Sequence, residues 1–156
     1  MSVLIAAGEN PTNNKARVAF TASIVQRSSI DFDTLTDTPA RKKLCPDARY
    51  GQSKFANVVM AREFARRYDR GFVFTSLNPA DQSLTCKSQN LIMYYYPAPF
   101  GALTPLWAGT SSKGADLNGK YLIPWARVGT ASAASGDPEL CHGLWGWLDK
   151  QTQEKK

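Results

Sequence analysis

A chain of 156 residues can hold one domain with a real core and is too short for two ordinary ones. With 43% hydrophobic and 21% charged residues it is composed as a soluble globular protein, which excludes wholesale disorder. The net charge of +6 is spread over Arg41-Lys42-Lys43, Arg62, Arg66-Arg67 and Lys155-Lys156, with no aromatic interleaving, so a solvated face is expected and no nucleic-acid surface. Cys45, Cys86 and Cys141 stand far apart without a C-x-x-C spacing, and His142 is the only histidine. That set excludes a disulfide framework and a zinc site. No charged segment leads into an apolar one at the amino end, and no run reaches the ~18 apolar residues of a membrane span. A reducing, cytoplasmic setting is the expectation.

In chain order, residues 3–8 form a short apolar run closed by Gly8 and read as a buried strand. Residues 9–15, polar with Pro11 and two Asn, read as a loop. Residues 17–23 are a second buried strand with Ser23 at its carboxyl end. Residues 26–47 form an irregular excursion with one short helix over 39–44. From about 48 to 68 the pattern is helical, with Phe55, Val58, Val59 and Arg62 at helical spacing. Asp69-Arg70-Gly71 ends that helix, Gly71 suiting the left-handed cap. Residues 72–77 form a third strand, closed by Asn78-Pro79. Strand, helix and strand with a short return make a βαβ crossover, hence parallel strands under a helix.

Beyond Pro79, the aromatic run Tyr94-Tyr95-Tyr96 either lines a substrate pocket or packs over the sheet. Residues 100–109 read as a short amphipathic helix. Residues 121–123 form a fourth strand after the turn residues Asn118-Gly119. A last helix over 138–150 opens on Asp137 as cap and Pro138 in the first turn, with Leu140, Leu144, Trp145 and Leu148 at helical spacing.

Chemistry concentrates at Tyr50-Gly51-Gln52-Ser53-Lys54. A phenol and an ammonium at i and i+4 lie on one helix face. The ammonium favours phenolate, and a phenol tuned in this way can exchange a proton with an alcohol or carbonyl oxygen.

With its context, this segment resembles the short-chain dehydrogenase/reductase family, and within it a fungal-type, retinol-dehydrogenase-like branch. The matching pieces occur in order: the strand ending in Ser23, the Ile30-Asp31-Phe32-Asp33 step, the Tyr50-x-x-x-Lys54 helix and the strand ending in Asn78-Pro79. The stretch from Gly114 to Tyr121 and the tryptophan-bearing last helix complete the set. They cover residues 16–152, with 1–15 matching weakly, so that residues 1–156 form a single truncated domain of this kind. The resemblance implies an α/β fold, a partial Rossmann-like doubly wound parallel sheet lacking the amino-terminal βαβ units. It assigns Tyr50 as general acid/base, Lys54 as the group that tunes Tyr50 and holds the cofactor ribose, and Ser23 as the hydroxyl orienting the reacting oxygen. Pro79 and Ala80 match the Pro-Gly turn beside the nicotinamide, with Ala where the family has Gly.

The implied cofactor is NAD(P), and the implied substrate a small lipophilic alcohol or carbonyl compound, with no metal. Two departures stand out. No Gly-rich phosphate turn precedes Arg17, where Gly8 is the only glycine. The helix that carries a further catalytic Asn in the family also has no counterpart. The chain thus resembles the carboxyl-terminal half of such an enzyme. Two readings stay open: an NAD(P)-dependent oxidoreductase, or a non-catalytic truncated fragment lacking the cofactor-binding half. Apolar surface uncovered by the loss, at about 25 cal/mol per Å2, favours association, and a homo-oligomer through the Tyr50 helix is expected.

Overall fold

The computed structural model describes residues 2–9, 15–68, 70–79 and 98–154. Their centre is a strand–helix–strand crossover. Strand β1 (Ala16–Thr21) runs into an irregular segment with a short helix α2 (Pro39–Lys43), then into helix α3 (Pro46–Arg67) and back along strand β2 (Phe72–Leu77). β1 and β2 pair in parallel from Ala16↔Phe72 to Thr21↔Leu77. Strand β3 (Tyr121–Ile123) adds in parallel to β2, and strand β4 (Arg127–Gly129) turns back antiparallel on β3. The order is β1-β2-β3-β4. This is the expected α/β sheet, open and mostly parallel.

Side chains alternate across the sheet, as they must in strands. Tyr121 packs with Ala22 and Val58 on the α3 side, whereas its neighbour Leu122 packs with Leu77, Ala108 and Leu117 on the other. Helix α5 (Pro138–Gln153) lies against α3, where Phe55, Val59 and Met60 meet Cys141 and Leu144. Phe64 joins these layers to the sheet, its ring 5.1 Å from that of Phe74 and 4.9 Å from that of Trp145. Trp145 is thus packing, as its helical spacing implied. Asp137 caps α5 through Glu139 N–H, as expected from Asp-Pro.

Helix α4 (Ala98–Thr110) covers the opposite face. Its expected amphipathicity is inverted. Gly101, Thr104 and Ala108 face inward, while Phe100, Leu103 and Leu106 are exposed. Small residues on the inner side let the helix backbone approach the sheet closely.

Two expectations are corrected. Residues 3–8 belong to a helix, α1 (Ser2–Gly8), rather than to a buried strand. A short apolar run has no period that separates the two, and Leu and Ala there are good helix formers. Its end packs on the α3–β2 turn, where Gly71 adopts φ 77 and a side chain would stand 2.5 Å from the Gly8 carbonyl oxygen. Strand β1 ends at Thr21, so Ser23 lies two residues past the strand. β4 was not foreseen, because its turn holds Pro124, Trp125 and Ala126, the last at φ 53, instead of the Asn-Gly or Asp-Gly that announces a hairpin. No helix among the described residues is long and apolar enough to cross a membrane.

Candidate active site

Parallel pairing fixes where the candidate residues meet. Thr21 and Leu77 are register partners, and Ala22 N–H donates to the Leu77 carbonyl at 2.7 Å. Ser23 and Pro79 therefore each lie two residues beyond the same rung of the sheet. Asn78 N–H in turn donates to Leu122 O at 2.8 Å, which holds the end of β2 against β3. Ligands of open α/β sheets sit outside these carboxyl ends.

Helix α3 brings the other two residues to this edge. Lys54 Nζ donates to the Thr21 carbonyl at 3.2 Å, and Asn57 Nδ2 donates to the same oxygen at 2.8 Å. The Lys54 ammonium also lies 5.4 Å from the centre of the Tyr50 ring. Tyr50 is exposed and lies one turn before Lys54 on the helix. The segment after Ser23 lies on the same turn of the helix. Arg27 N–H donates to Gly51 O at 3.3 Å, and a side chain at Gly51 would meet Arg27 Cγ at 3.4 Å. Gly51 is thus the seat that lets the serine-bearing loop lie next to Tyr50.

Ser23 itself is buried. Its Oγ accepts from Val25 N–H at 3.1 Å, so its proton is given to no acceptor among the described residues. The Ser23 carbonyl accepts from Gln26 Nε2 at 2.8 Å and from the Tyr121 hydroxyl at 2.9 Å. Burial raises the Tyr121 phenol above its ordinary value of 10.0, with a smaller opposing effect from Gln26. It is therefore a proton donor at any ordinary pH.

Of the expected residues, Ser23, Tyr50, Lys54 and Pro79 gather at one end of the sheet, and Ala80 and residues 94–96 lie outside the described residues. Sequence reasoning missed Tyr121, Gln26, Asn57 and Gln52. Buried Gln52 accepts from Asp31 N–H at 3.0 Å and donates to Thr34 Oγ1 at 2.9 Å, pinning the 30–34 step to α3. Gln52 sits inside the Tyr50–Lys54 motif, so the signal was present. Tyr121 carried none, because only folding brings it near a residue 98 positions away. Among the described residues no group of His, Cys, Asp or Glu could hold a metal.

The arrangement offers an exposed tyrosine, an ammonium beside its ring and a serine hydroxyl whose proton has no acceptor among the described residues. Those are the parts needed to exchange a proton with a substrate oxygen while orienting it. Among known proteins, the chain is 41% identical to each of two short-chain dehydrogenase/reductases of Armillaria gallica, over 95% of its own length and 50% of theirs. It is 29% identical to the oxidoreductase calI of Penicillium decumbens, over 90% of this chain and 45% of that one. A crystal structure of an uncharacterized protein from Mycobacterium Paratuberculosis superposes with a TM-score of 0.68 at 20% identity, covering 88% of this chain and 50% of that one. No family model matches. The chain spans about half the length of the curated relatives it matches.

Proposed function

This chain is a relative of the fungal short-chain dehydrogenase/reductases, resembling about half of such a protein along nearly its whole length, and from that kinship we propose NAD(P)-dependent interconversion of a lipophilic alcohol and its carbonyl compound. The observation that carries the reading is the Lys54 ammonium held at the end of β1, beside the Tyr50 ring and two residues from Ser23.

Nicotinamide, when bound, supplies or accepts the hydride. Tyr50 gives a proton to the developing alkoxide, or takes it from the alcohol in the reverse direction. Lys54 would stabilise the phenolate left behind and would hold the ribose hydroxyls of the bound cofactor. Ser23, its oxygen already engaged by Val25 N–H, donates its own proton to the substrate oxygen and fixes its direction. By the resemblance, Pro79 would border the nicotinamide. The exposed apolar side chains of Ile24 and Val25, next to Ser23, favour a lipophilic substrate. In this reading Tyr50, Lys54 and Ser23 would meet the nicotinamide end of the cofactor, whereas the sequence holds no Gly-rich turn for its pyrophosphate.

The half-length match favours a second reading, a non-catalytic fragment whose activity is association through the exposed side of α3. Titrating the purified chain with NADPH and NADH while following cofactor fluorescence separates the two. Saturable micromolar binding weakened by Lys54→Ala supports the oxidoreductase. No binding at millimolar cofactor supports the fragment, and sedimentation then reads its self-association.

A further inference from the structure

We infer that Tyr121 is a positioning residue for Ser23: its hydroxyl reaches across strand β2, on the α3 face of the sheet, and clamps the main-chain carbonyl of the serine. This rests on the reading of Ser23 as a site residue. The bond is 2.9 Å long and links β3 to the loop after β1, two strands that do not pair with each other. Tyr121 is the register partner of Ser76, whose side chain is small and buried, so β2 presents little bulk where the phenol crosses. The ring is wedged among Ala22, Val58 and Ala131, which leaves it one direction to point.

The consequence falls on the serine hydroxyl. Past Thr21 the chain has left the β1–β2 ladder, apart from the bond of Ala22 N–H, and the position of Ser23 rests on its own contacts. Tyr121 and Gln26 take the carbonyl from two sides, and Val25 N–H takes Oγ. A carbonyl held by two donors fixes the peptide plane between Ser23 and Ile24, and with it the turn that presents Val25 N–H to Oγ. Lone-pair occupation by Val25 then leaves the hydroxyl proton to be aimed at a ligand. Because burial keeps the phenol protonated, the clamp does not titrate at neutral pH.

The test uses the full chain, labelled with 15N and 13C, as wild type and as Tyr121→Phe, which keeps the ring and removes only the donor. Expected are an approximately tenfold faster hydrogen exchange of the Val25 amide and a shifted Ser23 carbonyl 13C resonance, with the amides of Val58 and Val59 in α3 unchanged. Unchanged Val25 exchange and an unmoved Ser23 carbonyl would overturn the inference. So would uniform acceleration of all amides, the mark of a merely structural tyrosine. If the variant fails to fold, the bond is read in the wild type as a slowly exchanging Tyr121 hydroxyl proton, and rapid exchange of that proton overturns it. None of these readouts needs cofactor. Failure of the NADPH titration therefore removes the oxidoreductase reading, while failure of the exchange experiment removes the clamp.

Discussion

Lys54 Nζ and Thr21 O are hydrogen-bonded at 3.2 Å, joining the middle of the longest helix to the last residue of the first strand. The helix thereby delivers its cation to the carboxyl end of the sheet, where Ser23 and Pro79 each lie two residues past the last rung. Asn57, one turn further along α3, secures the same carbonyl. Lys54 is thus held by a strand end, and Tyr50 meets it through the face of its ring.

Tyr50→Phe removes one hydroxyl from an exposed ring that meets the Lys54 ammonium through its face. The midpoint of urea unfolding is expected to move by less than about 0.5 kcal/mol equivalent, the usual range for surface changes. If the chain reduces a lipophilic aldehyde with NADPH, turnover falls by about 100-fold or more, since the proton donor is lost. Denaturation and steady-state rates on the same preparation check both halves.

Lys54 and Asn57 share one acceptor, so their substitutions are expected to couple. Lys54→Met leaves Thr21 O bonded to Asn57 and costs under about 1 kcal/mol of stability, because the bond is solvent-exposed. The double change Lys54→Met with Asn57→Ala leaves that carbonyl without either donor and costs more than the sum of the single changes. A double-mutant cycle by chemical denaturation measures the excess. Additive values would show that each donor acts alone.

Glu63 is a buried carboxylate on α3 bound by Arg66 and Arg67. The hydrogen bond from Arg66, helped by Arg67 and opposed by burial, lowers its pKa from the ordinary 4.5. A group depressed in the folded state stabilises the fold above its unfolded value and loses that contribution as pH falls through the folded one. The wild-type melting temperature is therefore expected to drop below about pH 4.5, and Glu63→Gln to flatten that drop. At pH 7 the same variant is expected to lose on the order of 2 kcal/mol, less than a fully buried pair, because Arg66 is largely exposed and screened. Calorimetric scans from pH 7 to pH 3 check sign and window.

Phe55 lies one residue after Lys54 but points into the core, fully buried beside Val59, Met60 and Leu144. Phe55→Ala is expected to cost about 3–5 kcal/mol, a large share of a domain's whole stability. Circular dichroism should show partial or complete unfolding at 37 °C. Near-native melting would mean that α3 is held by α5 and the sheet through other contacts.

Much of this molecule was legible in its sequence because the signals are local. Helical spacing of Phe55, Val58 and Val59 gave α3, Asp137-Pro138 gave the start of α5, and Gly71 and Asn118-Gly119 marked their turns, at φ 77 and 72 for the two glycines. The order of strand, helix and strand is enough to require parallel pairing, and so to bring Ser23 and Pro79 to one edge. Other features depend on distant neighbours. Whether residues 3–8 became strand or helix turned on what they packed against, and the inward face of α4 was chosen by closeness to the sheet rather than by hydrophobicity. Only tertiary structure decided that a carbonyl at position 21 would receive Lys54 and that a phenol at position 121 would hold the serine loop, because such bonds join groups whose spacing along the chain carries no period.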